Sequence, residues 1–109
     1  MDKHNDAMDI IYYAGNARSL FEEASEEIEN LNFDKAQKLM NDGDKELSSA
    51  YDAHRTILKD LADGKDVDCD VIVAHALDHL MATVTIKFMT NKLIKLYKLI
   101  NDLSRAPNI

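Results

Sequence analysis

The stretch VIVAHALDHLMATVTIKFMTNKLIKLYKLI, residues 71–100, contains neither proline nor glycine and carries two series at helical spacing. One runs through Ile72, His75, His79, Ala82, Ile86, Met89, Leu93, Leu96 and Ile100, and the other through Val73, Leu77, Leu80, Val84 and Phe88. Steps of three and four residues keep each series on one side of an α-helix, so a helix is expected over about residues 70–103. A helix apolar on two sides must bury both. One series is therefore expected to pack inside the subunit and the other to meet a further copy of the chain. The first series holds its heptad steps for about four repeats, which fits a central coiled coil without fixing the number of copies.

Working back along the chain, Ile10, Ala14, Ala17, Phe21, Ala24, Ile28 and Leu31 step by four and three, predicting a helix over about residues 6–30. Its other side carries Glu22, Glu23, Glu26, Glu27 and Glu29, a solvated face. Asn32 is a candidate N-cap for a second helix, about residues 33–62, with Asp34 in its first turn at the positive end of the helix dipole. Ala36, Met40, Gly43, Leu47, Ala50, His54, Ile57 and Leu61 form its seam, and Gly43 there suggests close helix contact. Gly64 stands where a left-handed C-terminal cap is expected, and Asp68 or Asp70 can cap the third helix. The fold class is all-α, a hairpin plus one helix forming a single domain over 1–109.

Composition narrows the function. A formal charge of -7 with no clustered basic face argues against nucleic acid. Lys87, Lys92, Lys95 and Lys98 alternate with apolar residues and read as the solvated flanks of a stripe. Cys69 is the only cysteine and Met1-Asp2-Lys3-His4 lacks a secretory core, so a cytoplasmic address is expected. The most apolar stretch, Val71 to Met89, is interrupted by His75, Asp78, His79 and Lys87, and no membrane insertion is expected.

Chemistry concentrates at His75, Asp78 and His79, whose separations of three and four residues place them on one helical face. A neutral imidazole titrates near neutrality and is nucleophilic toward phosphorus, so His75 is a candidate phosphoryl acceptor. Two other readings fit the same residues: a hydrogen-bonded polar layer that fixes helix register, or ligands to a metal completed by other chains or by His54. His54 otherwise reads as a core histidine, His4 lies in a terminus, and Met8, Met40, Met81 and Met89 read as gap-filling core. Cys69 has no histidine partner near it in sequence and reads as a spare thiol.

The segment Ala74-His75-Ala76-Leu77-Asp78-His79-Leu80-Met81-Ala82-Thr83 resembles the histidine signature of the lactose/cellobiose-specific enzyme IIA family of the sugar phosphotransferase system. Ala14-Gly15-Asn16-Ala17-Arg18-Ser19, Ala53-His54 with Thr56, and Leu96-Tyr97-Lys98 are similar to that family's other segments, so the resemblance spans about residues 8 to 99. It implies a nine-helix homotrimer with the third helices around the axis. It further implies a phosphotransferase component that takes a phosphoryl group from the histidine phosphocarrier protein and passes it to a cysteine of enzyme IIB, serving uptake of lactose, cellobiose or chitobiose-type sugars. By motif position His75 is the phosphoryl acceptor, His79 supports it, and Asp78 is the carboxylate near the three-fold axis. There three copies could hold one structural Mg2+ per trimer, the hard-oxygen chemistry that suits magnesium. Leu77 departs from the pattern, since the family usually has glutamine there. That departure motivates an alternative, a non-catalytic helical regulatory or interaction module on the same fold.

Overall fold

The computed structural model describes residues 3–65 and 71–105. Three α-helices account for nearly all of them: α1 (Lys3–Glu29), α2 (Phe33–Ala62) and α3 (Val71–Arg105). No strand occurs among the described residues. Asp68, Cys69 and Asp70, two of them candidate caps, lie outside the described residues.

The order in which the helices pack follows from side-chain size. On α1 the buried positions are Ala7, Ile10, Ala14, Ala17, Phe21, Ala24 and Ile28, a three-four alternation in which small and large residues share the face. The alanines let neighbouring backbones approach, while Phe21, Ile10 and Ile28 fill the space between them. α1 packs against both α2 and α3, whereas α2 and α3 scarcely touch. The subunit is accordingly a rod of 67 × 19 × 19 Å with a radius of gyration of 17.9 Å. A compact domain of this length would have a radius of ~13 Å.

The closest approach lies between α1 and α2. Gly43 is buried, and a Cβ placed there would meet the ring of Phe21, with Cδ1 at 2.8 Å. Met40 and Leu47 flank this contact from the same face of α2. The seam read from sequence holds from Ala36 to Ala50 and at Ile57, but His54 is only half-buried and Leu61 is exposed. Similarly Met40 is core, while Met8, Met81 and Met89 are exposed in the single subunit.

The C-terminal ends of α1 and α2 close by the same hydrogen-bond pattern. After α2, Gly64 N–H donates to the Leu61 carbonyl at 3.1 Å and Lys65 N–H to that of Asp60 at 3.0 Å, with Gly64 at φ +75°. This is a Schellman closure with glycine at its left-handed position, as expected. After α1, Leu31 N–H donates to the Ile28 carbonyl and Asn32 N–H to that of Glu27, both at 2.9 Å, but the left-handed residue is Leu31 at φ 62°. Leu31 is thus not part of the α1 stripe; it is half exposed and sits where a side chain is disfavoured. Leu31→Gly should raise stability by about 1 kcal/mol, read as a higher denaturant midpoint at unchanged slope.

Asn32 does not cap α2 with its side chain. Instead its Nδ2 donates to Glu27 Oε2 at 2.9 Å, and Lys35 Nζ approaches Oε1 of the same carboxylate at 3.3 Å. The Asn32 hydrogen bond first, and then Lys35, hold the Glu27 carboxyl below its ordinary pKa. The inter-helix turn is therefore fastened at neutral pH and loosens as pH falls through the lowered Glu27 pKa.

On α3 the inward face differs from the expected one. Val73, Ala76, Leu80, Thr83, Thr90 and Ile94 are buried, with Leu77, Val84, Ile86 and Tyr97 partly so. Phe88, assigned to this side from its spacing, is exposed. The threonines enter an apolar seam because each hydroxyl is satisfied by its own helix: Thr83 Oγ1 donates to the His79 carbonyl at 2.8 Å and Thr90 Oγ1 to that of Ile86 at 2.7 Å. Lys87 is not a free flank, since its Nζ lies 2.9 Å from Asp44 Oδ1 and ties α3 to α2. Lys92 and Lys98 stand over the rings of Phe88 and Phe33 at 5.4 and 5.8 Å.

The other α3 series points outward. Ile72, Met89, Leu93, Leu96 and Ile100 are exposed, and Leu103 extends the run by one more step. Among the described residues, α3 is the one helix long and apolar enough to cross a membrane, yet one face packs on α1 and His75, Asp78 and Lys87 interrupt its length.

Candidate functional site

His75 and His79 lie one turn apart near the start of α3, on its outward side, with His75 exposed and His79 half-buried. Their Nε2 atoms are 3.1 Å apart and their rings stand edge to face at 89°, with centroids 4.6 Å apart. A hydrogen bond between two imidazole nitrogens needs one N–H and one lone pair, so the two rings hold one proton between their Nε2 atoms. The bond fixes both rings, and it leaves the edge of the exposed His75 open to solvent.

The backbone beneath them is held by Thr83. Its Oγ1, besides bonding the His79 carbonyl, lies 3.2 Å from the carbonyl oxygen of Ala14 on α1. Thr83 is 1% exposed, so this bridge is shielded from water. It pins the histidine-bearing turn of α3 to α1 at the point where Ala14 and Ala17 permit close packing.

Because α1 is so close, it contributes to the site. An open pocket of about 260 Å3 is lined by His75, Asp78, His79 and Ala82 from α3 and by Arg18 from α1. Asp78 is exposed and forms no ion pair among the described residues. The guanidinium of Arg18 is held by Glu22, Nε to Oε1 at 3.0 Å, one turn further along α1. The structure thus brings together all three residues read from sequence and adds a cation that the spacing along α3 does not reach. Arg18 stands in one of the resembling segments, but nothing in its spacing links it to His75.

No group of three or more metal-ligating side chains occurs among the described residues of one subunit. Asp78 is a single hard-oxygen ligand, so any cation there needs carboxylates from further copies. His54 is half-buried on α2 and does not line the histidine pocket. A second cavity, about 340 Å3, lies between Asp6, Asp9 and Tyr13 of α1 and Ser49, Asp52 and Thr56 of α2, and no imidazole lines it.

Leu77 packs against the core and is not among the residues lining the histidine pocket. Leucine at this position therefore removes no wall of the pocket within one subunit.

The fold and the sequence both have relatives among known proteins. The sequence profile described as "PTS system, Lactose/Cellobiose specific IIA subunit" matches residues 5–98. The lactose-specific EIIA component of Staphylococcus epidermidis is 36% identical over 90 residues, covering 83% of this chain and 86% of that protein. That of Streptococcus mutans matches equally, at 36% over 90 residues and the same coverage of 83% and 86%. Among solved structures, PtcA from S. mutans superposes with a TM-score of 0.85 at 32% identity, over 90% of this chain and 99% of that one. The cellobiose-specific enzyme IIA of Bacillus anthracis gives 0.89 at 25% identity over 94% of each. With an all-helical three-element fold, a paired-histidine site and a family profile spanning nearly its whole length, the chain belongs to the lactose/cellobiose-specific IIA family and is a phosphotransferase component of the sugar phosphotransferase system.

Proposed function

We propose that this chain is a cytoplasmic phosphocarrier that accepts a phosphoryl group on His75 from the histidine phosphocarrier protein and delivers it to a cysteine of enzyme IIB. The observation that carries the reading is the exposed His75 imidazole, bonded Nε2 to Nε2 with His79 at 3.1 Å beside an open, partly charged pocket. Phosphoryl transfer asks a protein for positioning and charge neutralisation more than for covalent machinery, and a rigid helix surface supplies the first.

With His75 as its Nδ1–H tautomer, the Nε2 lone pair attacks the phosphorus of the donor phosphohistidine. A new N–P bond forms as the donor's N–P bond breaks, and that electron pair returns to the donor nitrogen. The His79 Nε2–H, released from His75, then donates to a phosphoryl oxygen. Discharge runs the same way: the cysteine thiolate of enzyme IIB attacks phosphorus, an S–P bond forms, and the N–P electrons return to His75. Hydrolysis competes with every such step, so a site lying open on one subunit favours a short wait between donor and acceptor. Lactose, cellobiose or chitobiose-type sugars are the substrates served downstream, and none need contact this chain.

The working form is a homotrimer of nine helices with α3 around the axis. Support comes from the outward α3 face: Ile72, Met89, Leu93, Leu96 and Ile100 leave a long apolar stripe uncovered in the single subunit, at coiled-coil spacing. Asp78 lies toward this face, and three copies would bring three carboxylates together. One Mg2+ would then neutralise charge at the axis as a structural ion, held by the Asp78 carboxylates. Asp78→Leu should preserve or strengthen assembly by removing buried like charges, and should abolish bound magnesium. Sedimentation of both proteins with metal analysis checks this; a monomeric native chain contradicts the trimer.

The transfer itself is tested by charging the chain with a phosphoryl group and adding enzyme IIB of the lactose/cellobiose type. Loss of label from the chain with gain on the IIB cysteine is expected. Label retained on the chain in the presence of active IIB would contradict a carrier role.

A further inference from the structure

Once His75 carries a phosphoryl group, its pocket must accommodate close to two negative charges beside the carboxylate of Asp78. Of the five residues that line the pocket, Arg18 is the only one with a permanent positive charge. In the unphosphorylated subunit Arg18 uses its Nε on Glu22 at 3.0 Å, across an i,i+4 spacing on α1. Both side chains are about half exposed, 46% and 57%, so this pair is weakly held and readily exchanged. The remaining guanidinium N–H groups form no hydrogen bond among the described residues. Arg18 is not engaged with Asp78 either, although both line the same pocket.

We propose that Arg18 is the phosphoryl-binding cation of the site, and that Glu22 is its resting partner, exchanged for the phosphoryl oxygens when His75 is charged. The proposal rests on His75 being the phosphoryl acceptor and says what recognises the group after transfer. A guanidinium is suited to this role, because its planar fork donates two parallel hydrogen bonds to phosphoryl oxygens and it stays charged at any pH the protein meets. Glu22 keeps it on α1 beside the pocket while the site is empty, and so prevents it from closing on Asp78. The exchange also changes the surface presented to partners. In the empty subunit Glu22 is neutralised; in the charged subunit it is released, and the negative charge beside the pocket rises. A donor and an acceptor protein can thereby meet two differently charged faces of one scaffold.

The test is the equilibrium between this chain and the histidine phosphocarrier protein, measured by intact mass as the ratio of phosphorylated to free forms of both proteins. Arg18→Gln should shift that equilibrium about tenfold toward the donor, the size of one charge-assisted hydrogen bond. Arg18→Lys should recover part of the shift, because it restores charge without the fork. Glu22→Gln should move it the other way by about twofold, because the competing partner is gone. A purely structural Arg18–Glu22 pair predicts parallel effects of the two changes, not opposite ones. An Arg18→Gln equilibrium equal to that of the native chain, with both fully phosphorylatable, overturns the Arg18 assignment alone. A native chain that takes no phosphoryl group overturns it together with the reading of His75.

Discussion

His75→Gln should lose phosphoryl acceptance completely and leave the fold unchanged. The imidazole is exposed, and its hydrogen bond and edge-to-face ring contact are both with the half-buried His79, so removing it disturbs no core packing. Stability should move by no more than about 0.5 kcal/mol, the ordinary range of surface substitutions. A loss of function without a loss of stability separates a carrier from a register-fixing polar layer, in which the histidine would be a structural member and its loss would lower the melting temperature. His79→Ala is the companion: it removes a hydrogen-bond donor and leaves the nucleophile, so transfer should slow by about tenfold and persist. Rates of phosphorylation by the histidine phosphocarrier protein, set beside thermal melts of the same samples, check both variants.

Gly43→Leu should destabilise the protein at the glycine contact of the α1–α2 seam by about 3 kcal/mol. The side chain would enter the volume of the Phe21 ring, which is fully buried and flanked by Met40 and Leu47, so the ring has no solvent into which to turn. Gly43→Ala meets the same ring but gains up to about 1 kcal/mol from the better helix former, and should cost less. Phe21→Ala alone leaves a cavity and should cost about 3–5 kcal/mol. Combined with Gly43→Leu it should cost clearly less than the sum, because the new side chain fills the space the ring vacates. Denaturant midpoints of the two single variants and the double variant measure that coupling. Additive costs would mean that Gly43 and Phe21 do not face each other.

Much of this architecture is legible in the sequence because its signals are periodic. Three helices, their order and the α1 stripe from Ile10 to Ile28 follow from steps of three and four, and so does an α3 face left over after packing. The departures have particular causes. The inward face of α3 is obscured because Ala76 is small and Thr83 and Thr90 are polar, yet backbone hydrogen bonds make those threonines suitable core residues. Leu31 continues the α1 period through a turn that the chain makes at a left-handed leucine, where composition gives no warning. Asn32 has the residue type of a cap but commits its amide to Glu27 instead.

The candidate site divides along the same line. His75, Asp78 and His79 are close in sequence, and one helical face brings them together. Arg18 comes from another helix and reaches the pocket only because Ala14 and Ala17 allow α1 to lie against α3. Pairing between helices depends on which faces meet, which one sequence does not display. Leu77 shows the opposite case: a departure from the family's usual glutamine suggests an altered site, whereas the side chain is engaged in core packing.

The most direct test of the phosphocarrier reading is the intact mass of the native chain after incubation with phosphoenolpyruvate, enzyme I and the histidine phosphocarrier protein, followed by mapping of the modified residue. The expected result is one acid-labile phosphoryl group per chain, located on His75 and absent when any one component is omitted. A native chain that gains no mass, or gains it at a residue other than His75, would contradict it.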